Sequence, residues 1–448
     1  MADLAENNHR LTKFEKAAII LAVASSALDI LFPFLPFKLR FMSQITYLPA
    51  VLFGIRSWRR TKFYGKSLPV IACVVLVIIG IVWTPRTELG RAVLIAVHLV
   101  SVLPIAALIV DKRAMRLCAS TFVTASTITV LIAMKIMIST VGLDILQKFG
   151  NLIDDTGTVV TNTNELGASF GLALLLSTAL VLGCFRECKS KKKLFDKKLI
   201  YYLAASIILA LAAILTGSRG AFIATFAGVF ILLMSKSNGL ARGKVIAIIS
   251  ILMITAVVVI SFATGVSPTE RLTSRFSGGT VGDFNGRIPI WEQTIDIVVN
   301  KSFYIIYGTG TGGAEKLVGT FERFARRGED GIYRRSTHSS YVEWFTYFGL
   351  LGIIPALGLM WSAVQRAIKL DKVSHSTNRT AILIFFLVFA FNGVVFRSSY
   401  WTVLGSMILA LLSYSSLADQ SCPIFGSPDA SKKSKRLRPT RTAAAEYR

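Results

Sequence analysis

Charge is scarce in this chain. Only 17% of its 448 residues are Asp, Glu, Lys or Arg, while 53% are hydrophobic and the mean hydropathy is +0.60. Soluble domains carry about a quarter charged residues, so a soluble enzyme, a disordered chain and a collagen-like one are all excluded. Acidic groups are the rarer sign, with 25 Asp and Glu against 50 Lys and Arg. Cysteine is sparse too. Cys73, Cys118, Cys184, Cys188 and Cys422 show neither a disulfide framework nor metal-ligand spacing. There is no DxD and no HExxH, and the Gly-rich turn at 307–313 lacks the terminal GK[ST] of a P-loop. No metal, no ATP site and no cofactor is therefore expected.

Long apolar runs are what the sequence has in abundance. A helix needs roughly 17–25 mostly apolar residues to cross a bilayer, because its backbone groups cannot be left unpaired in lipid. That measure gives twelve spans, at about 17–37, 41–55, 68–84, 89–110, 116–138, 164–185, 199–216, 219–235, 245–262, 339–363, 380–396 and 398–416. Pro33, Pro36 and Pro49 blur the first two. The first span is long, holds two prolines and lacks a small-residue cleavage site, so it reads as a membrane helix rather than a cleaved signal peptide. The expected fold is an all-α polytopic integral membrane protein of about twelve transmembrane helices, with a large outer loop between helices 9 and 10. By segment, the expectation is an inner tail at 1–16, helices 1–9 within 17–262, the loop with a surface helix at 263–337, helices 10–12 within 338–416, and a basic, disordered inner tail at 417–448.

The net charge of +25 invites a nucleic-acid reading until the cations are placed. With the N terminus inside, the inner segments hold 32 of the 50 Lys and Arg, whereas the short outer segments hold six: Lys38, Arg40, Arg86, Lys148, Arg219 and Arg397. The excess is the positive-inside asymmetry of a membrane protein, with both termini cytoplasmic. A reporter fused after residue 195 should therefore read cytoplasmic, and one fused near Gly313 should read the outer side. The same side for both would refute the twelve-span arrangement.

Charged groups inside spans are costly and mark function or snorkelling. Asp29, Arg91, Lys135 and Glu343 all map toward the outer ends of their helices, as an outward polar cavity would require. Length is also spent on that side, in the 75 residues of 263–337, and loops that long are functional or disordered. Within it, Ile290 to Val299 has a helical apolar stripe, expected to form a helix on the outer surface. A Gly-rich turn, Tyr307-Gly308-Thr309-Gly310-Thr311-Gly312-Gly313, comes after it and can be read either as a connector or as a backbone nest for phosphate. A basic run from Arg323 to Arg335 comes next.

Three segments then stand in a telling order. They are Thr216-Gly217-Ser218-Arg219-Gly220-Ala221 between two spans, Asn285-Gly286-Arg287-Ile288-Pro289-Ile290-Trp291 before the Gly-rich turn, and Thr337-His338-Ser339-Ser340-Tyr341 leading to Phe348-Gly349-Leu350-Leu351-Gly352. Their order across one long outer loop resembles the O-antigen ligase and O-antigen polymerase superfamily. The start of the sixth span, Asn162-Thr163-Asn164-Glu165-Leu166-Gly167, resembles it as well. The resemblance is strongest over about 160–365. The chain departs from the family's pattern at His338-Ser339, where His-Asn is frequent, and at Phe303-Tyr304, where a Pro often precedes the Gly-rich turn.

The resemblance implies a glycosyltransferase of the bacterial inner membrane. The donor would be a glycan on undecaprenyl pyrophosphate, and the acceptor a sugar hydroxyl of lipid A–core or of a second lipid-linked glycan. A breaking sugar–phosphate bond develops negative charge, which guanidinium forks suit better than ammonium. Arg219 and Arg287 are the candidates for the donor pyrophosphate. Of the four histidines, His9 and His375 map to the inner side and His98 lies within a span. His338 alone stands at an outer helix edge beside the long loop, so it is the candidate base or acceptor-holding group. Its rival role is structural, capping a helix start beside Thr337. Asn164, Gly308, Gly310, Tyr341 and Glu343 are possible accessory residues. The function expected is ligase-like, with an O-antigen or exopolysaccharide polymerase as the near alternative. A transporter or flippase is the distant one, and would call for a mid-membrane polar site and internal repeats.

Overall fold

The computed structural model describes residues 11–29, 42–58, 68–141, 163–190, 196–216, 218–234, 287–311, 313, 317, 326–327, 333–334, 337–374, 376–393 and 399–413. The span expected at 245–262, the loop residues 263–286, residues 1–10, the tail 417–448, and His9, His375 and Cys422 lie outside the described residues.

The described chain is helical apart from one small ladder. α1 is Lys13–Leu28, α2 Met42–Trp58, α3 Leu68–Gly80, α4 Leu89–Leu108, α5 Lys112–Val141, α6 Thr163–Ser190, α7 Lys197–Leu215 and α8 Arg219–Leu233. α9 (Arg287–Val299) and α10 (Ser302–Tyr307) precede a two-residue antiparallel pair, β1 (Arg326–Arg327) and β2 (Tyr333–Arg334), which lies inside the basic run. α11 (Ser340–Val373), α12 (Asn378–Asn392) and α13 (Ser399–Ser413) complete it. The all-α expectation thus has one local exception.

Among the described residues, four helical stretches are long and apolar enough to cross a bilayer: Lys112–Lys135, Asn164–Phe185, Lys197–Leu215 and Ser340–Val373. Shorter apolar helices, among them Ala92–Leu108, Arg219–Leu233 and Asn378–Phe391, pack beside them. This is the pattern of a multi-pass membrane protein. Large apolar side chains such as Leu131, Phe226, Ile354 and Trp361 are exposed on the outside of the bundle, where lipid rather than water suits them.

Small residues let the helices approach closely, the usual device where no hydrophobic driving force separates helix from lipid. A methyl group added at Gly171 on α6 would collide with Thr225 Oγ1 on α8, and one at Gly228 on α8 would fall 3.2 Å from the Ala381 carbonyl of α12. Buried hydroxyls supply the remaining specificity. Ser206 of α7 donates to Ser177 of α6 at 2.9 Å, and His98 of α4 shares a 3.0 Å hydrogen bond with Thr402 of α13. His98 is 1% exposed, so it is a satisfied interior histidine.

At the end of the bundle where α5 begins and α6 ends, Arg116 and Glu187 form an ion pair of 2.7 Å. Asp371 gathers the turn between α11 and α12. It accepts from Arg379 Nη1 at 3.2 Å and from the Thr380 amide and hydroxyl, both at 2.8 Å, while Arg379 Nε donates to the Leu411 carbonyl at 3.0 Å. Buried charges stay ionised only when they are paired and hydrogen-bonded in this way.

At the opposite end, α11 is interrupted by Gly349, whose φ of +57° and ψ of −150° are not helical. A side chain there would fall 2.6 Å from the Ile306 carbonyl carbon. Both the left-handed backbone and the close approach of α10 therefore require glycine. α10 and the Gly-rich turn seat against this kink, and the turn reaches α3: the Thr311 amide donates to the Gly80 carbonyl at 3.2 Å, and Thr84 Oγ1 to the Thr311 carbonyl at 2.9 Å.

Candidate functional site

Helices α6, α8, α9 and α11 begin at or beside Asn164, Arg219, Arg287 and His338. The first link between them is polar. Ser218 caps α8, its side-chain oxygen accepting from the Ala221 amide at 3.4 Å, and its hydroxyl donates to Asn164 Oδ1 at 2.8 Å. Ser immediately before an apolar helical run is a strong N-cap pattern. A methyl group at Gly167 would stand 2.8 Å from both Ser218 Cβ and Thr216 Oγ1, so α6 offers the cap no room to move. Arg219, first residue of α8, is held half-buried by that turn.

The second link is electrostatic. Arg287 opens α9, half-buried, and its guanidinium is pushed below the usual arginine range, first by burial and then by the positive charge of Arg219. Two arginines separated by 68 positions in the chain therefore share one locality. Like charges brought together cost free energy that a bound anion returns. The helix starts reinforce the sign, because each helix N-terminus carries roughly half a positive charge and unsatisfied N–H donors.

The third link joins α9 to the histidine. Trp291 lies one turn along α9 from Arg287, and its Nε1 donates to the Thr337 carbonyl at 2.7 Å. Thr337 is fully buried; its hydroxyl donates to the Ser339 carbonyl at 3.1 Å and accepts from the Ser339 amide at 3.3 Å. Beyond Ser339, the Ser340 amide and hydroxyl both donate to the Gly393 carbonyl, at 3.0 and 2.8 Å. Between these anchored residues sits His338 with a φ of +55°, the one non-glycine among the described residues in the left-handed region. For a histidine that conformation costs on the order of 1 kcal/mol and persists only when its surroundings over-determine it. His338 precedes the N-cap residue Ser339, whose side chain makes no capping bond.

The accessory candidates divide. Asn164 belongs to the cluster through Ser218. Gly308 and Gly310 have left-handed backbones, with φ of +73° and +87°, yet their amides are already used. Gly308 donates to Tyr304, Thr309 to Thr346, Gly310 to Tyr347 and Thr311 to Gly80, in each case to a backbone carbonyl. Among the described residues of this turn the amides are taken by backbone carbonyls, which favours the connector reading over the phosphate nest and makes the turn a packing joint between α3, α10 and α11. Tyr341 donates its hydroxyl to the Leu387 carbonyl at 3.0 Å and so braces α11 on α12. Glu343 does not snorkel; it is 0% exposed and accepts from the Tyr347 hydroxyl at 3.3 Å. Asp29 is half-buried and Lys135 exposed. The side chain of Arg91 lies outside the described residues.

An open apolar cleft, lined by Val77, Trp344, Phe386 and Trp401 among others, lies between α3, α4, α11, α12 and α13. It uses a different face of α12 from the one that packs on α8, where Ala381 and Phe385 meet Gly228, and is separate from the arginine cluster. Among the described residues, no group of three or more His, Cys, Asp or Glu side chains is placed to hold a metal ion.

Sequence reasoning missed the indole bond from Trp291 to Thr337 and the left-handed turn at His338. No local pattern encodes either one. The cap at Ser218 was legible, since Ser precedes an apolar helical run there.

No curated protein matches the chain. Residues 204–357 match a family model described as O-Antigen ligase, a stretch that contains Arg219, Arg287, Trp291 and His338. The order of the three segments, their meeting at the starts of α8, α9 and α11, and the match over residues 204–357 support the placement of this chain in the O-antigen ligase superfamily.

Proposed function

We propose that the chain transfers a glycan from undecaprenyl pyrophosphate to a sugar hydroxyl at the periplasmic face of the inner membrane, in the manner of an O-antigen ligase acting on lipid A–core. The observation that carries the reading is the shared locality of two half-buried arginines, Arg287 being pushed below its usual range by burial and then by the charge of Arg219, beside a backbone-fixed histidine turn.

In this reaction the acceptor oxygen bonds to the anomeric carbon, and the bond from that carbon to the pyrophosphate oxygen breaks. The electron pair leaves with undecaprenyl pyrophosphate. Arg219 and Arg287 hold the pyrophosphate and take up the charge that grows as the bond breaks, where fixed cations act most strongly. His338 accepts the hydroxyl proton or holds the acceptor by a hydrogen bond. The activated donor supplies the driving force, so neither ATP nor a metal enters the scheme. The cation asymmetry of the sequence supports a cytoplasmic position for both termini.

The test is the glycan phenotype of a deletion strain. Long chains left on undecaprenyl pyrophosphate with bare core are expected. Core bearing a single repeat would turn the assignment to the polymerase of the same superfamily. Wild-type surface glycan would refute transfer altogether, and lipid-linked glycan trapped on the cytoplasmic side would indicate a flippase.

A further inference from the structure

The hydrogen bond from Trp291 to the Thr337 carbonyl joins the helix that bears Arg287 to the turn that bears His338. We propose that Trp291 is a positioning residue: its indole N–H sets the backbone of the His338 turn, and so the placement of the imidazole relative to the Arg287 guanidinium. This rests on the assignment of His338 and Arg287 to the transfer site.

Three features of the geometry support it. The bond is short, at 2.7 Å, and it ends on the carbonyl of the peptide whose nitrogen belongs to His338. The φ of His338 is the torsion immediately after that peptide, and it is held at +55°. Ser340 fixes the other side of the turn through two bonds to Gly393. Without the indole bond the turn loses its tie to α9, and the left-handed backbone of His338 is held less firmly in place relative to Arg287.

The indole itself cannot drift. It is half-buried and packs edge-on against Phe391, ring centroids 5.4 Å apart, and Phe391 also lies 6.4 Å from Tyr341 of α11. Trp291 and Arg287 are four residues apart on α9, about 6 Å along its axis. A single rigid helical turn thus carries both the cation and the hydrogen-bond donor that places the histidine.

The experiment is Trp291→Phe in the full-length protein, assayed in native membrane vesicles that supply donor and acceptor, with release of undecaprenyl pyrophosphate as the readout. Phenylalanine retains an aromatic ring against Phe391 and loses only the donor. The expected result is normal accumulation in the membrane, a drop of about tenfold in turnover at saturating donor, and an unchanged KM for the donor. Measured on the residual turnover that a general-base loss of about 10²–10⁴-fold leaves in His338→Ala, the same substitution should cause no further loss, because a residue acting through the histidine has nothing left to act on. Should Trp291→Phe fail to accumulate, benzothienylalanine at 291, with sulfur in place of the N–H, keeps the indole shape and makes the same measurement. Full turnover with either replacement, while His338→Ala is inactive, overturns the positioning role and leaves the transfer site standing. An equal loss in the His338→Ala background also overturns it. Full activity of His338→Ala on its own overturns the transfer assignment instead, and that variant tells the two failures apart.

Discussion

His338→Ala should abolish glycan transfer while the protein still accumulates in the membrane and still retains its lipid-linked donor. General-base contributions are about 10²–10⁴-fold, so the loss should be severe rather than graded. Donor binding should survive because the pyrophosphate is assigned to Arg219 and Arg287. The structure sharpens the expectation, since His338 is the one non-glycine among the described residues with a left-handed backbone. Alanine removes the imidazole but leaves that backbone cost in place. A control with His338→Gly relieves the strain and also lacks the ring. If the strain alone mattered, glycine would restore transfer; the expectation is that both variants are inactive. Near-normal transfer by His338→Ala would leave the residue as part of a helix start. Wild-type vesicles treated with EDTA should keep their activity. Loss restored by a divalent ion would instead make His338 a metal ligand.

Arg287→Lys should impair transfer nearly as much as Arg287→Ala, by about 10²–10³-fold if the guanidinium meets the developing charge. Lysine keeps a cation but has no planar fork for a pyrophosphate. It would also enter a place where burial and the charge of Arg219 already push arginine below its usual range. The same two effects would act on an amine whose ordinary value is already below that of arginine, so lysine there loses its proton at a lower pH than arginine does. This fixes the sign of the pH dependence. The residual activity of Arg287→Lys should fall away at a lower pH than that of the wild type as the solution is made alkaline, because the ammonium deprotonates first. Full activity in the lysine variant would reduce Arg287 to a point charge, and full activity in the alanine variant would remove it from the site.

Much of the bundle was open to a reader of the sequence. Span length and apolar content locate α4 to α8 and α11 to α13 to within a few residues at most ends, because lipid leaves a crossing backbone few alternatives. The amphipathic stretch at 290–299 became α9, Arg287–Val299. What resisted reading is set by contacts distant in sequence. Gly349 sat in a segment expected to be one continuous span, yet α10 presses so closely on it that the helix kinks. The Gly-rich turn reads locally as an anion cradle; only the carbonyls of Thr346, Tyr347 and Gly80 reveal that its amides are occupied. Glu343 looked like an interfacial charge because its position along the helix was legible, whereas its burial beneath neighbouring helices was not. For the site, the identities of Arg219, Arg287 and His338 were legible as motifs. Their mutual placement depends on Ser218 against Asn164 and Trp291 against Thr337, pairs that no periodicity connects.

On the proposed assignment, the arginine pair would also govern the fate of the leaving group once transfer is complete. For the proposed donor, the departing undecaprenyl pyrophosphate carries one more negative charge than the diester from which it came. Cations that favour bond breaking by matching that growing charge therefore grip the product more firmly than the substrate. Catalytic assistance and slow dissociation arise from the same two side chains. Turnover in such an arrangement is governed by how quickly the spent carrier is withdrawn from the site, and an enzyme that dephosphorylates it nearby would set the pace of glycan export as much as the transferase does.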